Sequence, residues 1–165
     1  MTARRSQPAS VTALLVGSAL ILAACVHDPG EPTMKPSEAK QSVIEFVEQS
    51  TTAAGGTWEH LSGPGVRECE QDSGAPGTMF VYVMKRADTS GADARVDVQA
   101  VSKHWRDAGV DVDEYQSGGP DPVPGVRGRG GPVVSASFDA YPGNYQMSAT
   151  SKCSDGMPDQ QRLEN

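Results

Sequence analysis

The sequence predicts an α+β fold: a two-layer sandwich with two helices on one face of an antiparallel or mixed sheet of about five strands, closed by one disulfide. Three observations carry this. Two segments, near residues 38–54 and 93–108, repeat apolar side chains at helical spacing. Several shorter segments alternate with a period of two, and two cysteines, Cys69 and Cys153, lie in separate strand-like segments.

In the first helical segment Ser37 is placed to cap a helix begun by Glu38, and Ala39, Val43, Phe46, Val47, Ser50 and Ala54 share one face. Gly55-Gly56 ends it. Extended pieces are expected over Thr57–Leu61 and Val66–Gln71, divided at Gly63-Pro64-Gly65 by a turn or bulge. Thr78–Met84 is the strongest strand, with Met79, Val81 and Val83 on one face and Phe80, Tyr82 and Met84 on the other. The Gly74-Ala75-Pro76-Gly77 turn before it makes a hairpin with the Cys69 strand. A second helix runs from about Asp93 to Ala108, its stripe made by Val98, Val101, Trp105 and Ala108, and stops at Gly109.

Val110–Gln116 alternates until Glu114-Tyr115, where a bulge or strand end is expected. Gly118–Pro132 is rich in Gly and Pro and reads as one long exposed loop. Two strands then close the domain around the turn Tyr141-Pro142-Gly143-Asn144. The second places Tyr145, Met147, Ala149, Ser151 and Cys153 on one face, which aims Cys153 inward toward Cys69. The four residues Pro64-Gly65-Val66-Arg67 recur as Pro124-Gly125-Val126-Arg127, leaving a duplicated half open.

The N-terminus carries an address. Arg4 and Arg5 precede an apolar run from Val11 to Leu22, too short for a membrane span of roughly 20 residues, and the run ends in Leu22-Ala23-Ala24-Cys25. Small residues directly before a cysteine at that point form a lipobox, so the chain resembles a bacterial lipoprotein precursor. The resemblance covers the first 25 positions and implies cleavage before Cys25, diacylglycerol on its sulfur, and a place on the outer face of the cell membrane. Residues 1–24 are then signal peptide, 25–36 a tether, 37–153 one α+β domain, and 154–165 a mobile tail. With its helix, Cys-containing strand, Lys103-His104-Trp105 and later Gly-rich strands, the mature part resembles small actinobacterial lipoproteins, including the mycobacterial LppA-like group.

Assigning Cys25 to lipid leaves Cys69 and Cys153 as a pair in an oxidising compartment, where a disulfide is the default. Removing Arg4 and Arg5 from the 14 basic residues leaves 12 against 21 acidic ones, a balance of −9. Such a surface disfavours nucleic acid and anionic headgroups, so membrane contact is assigned to the lipid.

His27, His60 and His104 have no ligand partner at metal-binding spacing, and Asp111, Asp113 and Glu114 lack the continuation of a calcium loop. No metal or cofactor is expected. Gly-x-Ser-x-Gly, His-Glu-x-x-His and Cys-x-x-Cys motifs are absent from the sequence. A local concentration of positive charge is formed by Arg127 and Arg129 in a glycine-rich setting, a candidate loop for an anion or a partner. The function expected is a non-catalytic, lipid-held binding module for an envelope protein, glycan or lipid. A small envelope hydrolase is the alternative.

Overall fold

The computed structural model describes residues 34–141 and 143–158. The predicted signal peptide, Cys25, His27 and most of the tether lie outside them. Helix α1 spans Pro36–Ala54, and β1 and β2 are Trp58–Glu70 and Pro76–Arg86. Helix α2 is Ala94–Asp107, followed by β3 Asp111–Gln116, β4 Pro124–Arg129, β5 Val133–Tyr141 and β6 Asn144–Ser151. The six strands form one antiparallel open sheet in the order β1-β2-β6-β5-β4-β3, with both helices packed on it.

Each helix begins where local chemistry allows. Pro36 occupies the first turn of α1, where a missing N–H costs nothing, and the Glu38 carboxylate accepts a 3.2 Å bond from the Lys35 N–H. The start therefore precedes the Ser37 cap expected from sequence. In α2 the Asp93 carboxylate accepts from the N–H groups of Arg95 and Val96 at 3.0 and 3.3 Å, a direct N-cap.

Helix α1 covers β2 and β6, while α2 covers β3, β4 and β5. The two helices meet through Trp105. It is fully buried, its ring lies 5.7 Å from that of Phe46, and its indole N–H donates to Ser50 Oγ at 2.8 Å. Ser50 passes the bond on to the Phe46 carbonyl at 2.6 Å, so the polar atoms of this contact are satisfied inside the core. Val43, Val47, Val101, Val126, Phe138 and Met147 complete the layer between helices and sheet.

The sheet changes several sequence expectations. Gly118–Pro132 is not one loop: it holds β4, a sixth strand hydrogen-bonded between β3 and β5. β4 escapes an apolar pattern because its inward positions are Val126 and Gly128. Val110 and Trp105 fill the space over Gly128, where a Cβ would sit 2.6 Å from Val110 Cγ1 and 3.0 Å from the indole. The expected break at Glu114-Tyr115 is also absent, since β3 pairs with β4 in unbroken register from Asp111 to Gln116. By contrast β1 is one strand with register shifts across His60–Gly65, so Gly63-Pro64-Gly65 marks a bulge. The recurring tetrapeptides fall on non-equivalent strands, β1 directly after α1 and β4 second after α2.

Cys69 and Cys153 are joined, with sulfurs 2.00 Å apart, across a sequence separation of 84. The bridge does not enter the core. β6 ends at Ser151, and the next ladder contact pairs Ser154 with Thr78, so Cys153 loses the phase that would have aimed it inward. It reaches over Gly77, the cross-strand partner of Cys69, where a Cβ would lie 2.6 Å from the Cys153 sulfur. Thr78 and Phe80 are buried under α1, which places Gly77 and the disulfide on the opposite face.

The fold also continues past Cys153. Ser154 is buried and exchanges backbone bonds with Thr78 at 2.8 and 3.0 Å, and Thr78 Oγ1 donates to the Gly156 carbonyl at 2.9 Å. The Asp155 N–H donates to the Met34 carbonyl at 3.0 Å, tying the chain just before α1 to the chain just after the disulfide.

Candidate functional site

The helices leave the second face of the sheet without a helix of its own among the described residues. Its register brings Asp111, Asp113 and Tyr115 of β3, Gly125, Arg127 and Arg129 of β4, and Ser135, Ser137 and Asp139 of β5 into three adjacent rows. Ser148 of β6 follows, its hydroxyl 2.9 Å from that of Ser137.

Arg127 and Arg129 stand on this face, on strand β4 and not in a loop. Each has an aspartate directly opposite, Asp113 across from Arg127 and Asp111 across from Arg129. The basic concentration seen in sequence therefore faces two carboxylates of β3 across the register. Arg127 is further held by stacking, its guanidinium carbon 4.6 Å from the centre of the Tyr115 ring.

Tyr115 lies flat across β4 because Gly125 has no side chain: a Cβ there would sit 2.5 Å from the ring. The phenol thereby reaches over one strand and donates to the Asp139 carboxylate on β5. Burial, then the hydrogen bond to Asp139 and the negative charge of that carboxylate, push the Tyr115 phenol up to about 12, against a smaller opposing pull from Arg127. The result is a three-strand brace of Arg127, Tyr115 and Asp139 with an ordered, polar outer surface. Sequence reading singled out neither Tyr115 nor Asp139, because 24 residues separate them and only the β3-β4-β5 register makes them neighbours.

This brace makes a test in alkali. A phenol whose pKa rises on folding contributes stability that is complete below about pH 10 and is lost as the pH rises toward 12. Ultraviolet titration of the folded protein is expected to show one phenol ionising last, and Tyr115→Phe is expected to remove that late step. A variant that keeps the late step and loses an earlier one would refute the brace.

The remaining sequence candidates do not converge. His60 is exposed on β1, its Nε2 2.7 Å from the Gly63 carbonyl and its ring stacked 5.5 Å from Tyr82. His104 sits on α2 with Nε2 buried and no hydrogen-bond partner among the described residues. Strand alternation sends Glu114 to the helix side, where Arg106 donates to it at 3.0 Å, while Asp111 and Asp113 stay on the open face. Among the described residues no group of three or more His, Cys, Asp or Glu side chains could hold a metal ion. A shallow hollow of about 360 Å³ on the outer side of α1 is lined only by Ser37, Glu38, Gln41, Ser42 and Glu45. One helix supplies all its walls, so it has no second element to enclose a ligand. Among the described residues no helix is long and apolar enough to cross a membrane. Comparison with known proteins finds no family model, no curated protein and no solved structure that matches the chain.

Proposed function

We propose that the chain is an envelope lipoprotein, akin to the small actinobacterial lipoproteins it resembles, held through Cys25 at the outer face of the cell membrane. Its α+β domain serves as a binding module for an envelope protein, glycan or lipid. The observation that carries this reading is the junction between address and fold. Eight residues separate Cys25 from Met34, and the Met34 carbonyl is bonded at 3.0 Å to Asp155 beside the disulfide. A chain that passes so directly from a lipid acceptor into a stapled domain suits display at a surface. The polar, braced sheet face offers hydrogen-bonding groups in fixed positions, which also suits binding.

Cell fractionation with palmitate labelling tests the anchor. Cys25→Ala is expected to abolish the label and to move the protein out of the membrane fraction by at least about tenfold, because two acyl chains hold a protein stably and an acidic surface without them does not. A variant still as firmly membrane-bound as the parent would overturn the reading.

A further inference from the structure

We propose that the domain stands on the membrane in one orientation, with the disulfide-closed end of the sheet facing the bilayer and the opposite end facing outward. This rests on the lipid-anchor reading and adds to it a direction. The sheet register defines two ends. At one lie the Glu70–Pro76 pair of the first hairpin, the Asp111–Arg129 pair, the Val133–Ser151 pair and the Thr78–Ser154 bridge. At the other lie the Trp58–Arg86, Gln116–Pro124 and Tyr141–Asn144 pairs.

The helices run between these ends in opposite directions. α1 starts at the first, where Ser42 donates to the Pro132 carbonyl at 3.2 Å, and finishes at the second, where Trp58 donates to the Gly55 carbonyl at 2.8 Å. α2 starts at the second, where Arg86 of β2 donates to Asp97 at 2.8 Å. Met34, the first described residue, lies at the first end, where its carbonyl accepts from the Asp155 N–H. Thr78 holds Ser154 and Gly156, and Cys153 is bonded to Cys69, so that entry point is fastened to β1 and β2 together.

Lengths then favour one orientation. The nine steps from Cys25 to Met34 span at most about 32 Å when fully extended. The 19 residues of α1 make the domain about 28 Å tall along the helix. Laying the outward end on the bilayer would need the tether to run beside the whole domain near its limit of extension, which discards almost all of its conformational freedom. The outward end carries Val96 and Tyr141, 57% and 56% exposed, where an approaching partner meets them first.

Nuclear magnetic resonance of the lipidated protein in nanodiscs carrying a paramagnetic headgroup lipid tests the direction. From Val134 to Tyr141 along β5 is about 23 Å, a wide gap for a relaxation effect that falls steeply with distance. The amides of Gly130, Gly131, Val134 and Asp155 are expected to lose signal, while those of Gly55, Ser90, Gly91 and Gly143 keep theirs. Equal loss at both ends, or the reverse pattern, would overturn the orientation. A parallel sample has Cys25 coupled chemically to a maleimide lipid. If the native protein fails to enter nanodiscs, the anchor reading falls, and the coupled sample still decides whether the tether orients the domain.

Discussion

Replacing Cys69 and Cys153 together by serine is expected to lower the stability of the folded domain by about 4.5 kcal/mol in the chain-entropy limit for a separation of 84 residues. Measured losses for such bridges usually fall between about 2 and 5 kcal/mol. The bridge joins β1 to the segment after β6 by passing over Gly77 of β2, so it closes a loop containing most of the domain. Its removal also leaves the Ser154–Gly156 segment held by hydrogen bonds to Thr78 alone among the contacts of that strand. Denaturant titration of the oxidised protein beside the double variant measures the difference. A loss below about 1 kcal/mol would show that the closed loop constrains the unfolded chain far less than its length implies.

Trp105→Ala is the second large effect, with an expected loss of about 3 to 5 kcal/mol. The indole is fully buried, lies against Phe46 and Ser50 of α1, and covers β4 at Gly128. Truncation opens a cavity at the one place where the two helices and the far half of the sheet meet. It also deletes the donor to Ser50 Oγ, although that hydroxyl keeps its own bond to the Phe46 carbonyl. Trp105→Phe retains most of the volume and is expected to lose clearly less. Denaturant midpoints rank the three proteins, and near-ultraviolet circular dichroism reports whether the core keeps its packing. Equal stability of Trp105→Ala and the parent would mean that α2 does not depend on this contact.

The helices were legible because each side of their chemistry is local. Apolar residues three and four apart mark the buried stripe, and Asp93, Gly55 and Gly109 punctuate it. The β2 strand was legible for the same reason, since alternation of Phe80, Tyr82 and Met84 against Met79, Val81 and Val83 needs no knowledge of neighbours. The disulfide partners followed from assigning Cys25 to lipid and pairing the two cysteines that remained.

Strand β4 was not legible, because its inward-facing glycine takes its filling from Val110 and Trp105, which lie elsewhere in the chain. The brace on the open face was equally hidden. Asp113 and Asp111 oppose Arg127 and Arg129 only in the β3–β4 register, and Tyr115 meets Asp139 only by lying across Gly125. A sequence read alone shows two arginines in a glycine-rich stretch; the folded sheet shows each one opposite an aspartate.

By itself, then, the sequence determined the α+β class, both helices, the strongest strand, the acidic balance and the pairing of Cys69 with Cys153, because periodicity, composition and residue counts act within short stretches of chain. Tertiary structure decided the sixth strand, the face on which the disulfide lies, the placing of Arg127 and Arg129 opposite two aspartates, and the point where the chain enters the fold at Met34. Each of these depends on which residues from distant segments become neighbours, and strand register sets that only once the helices have packed on the sheet.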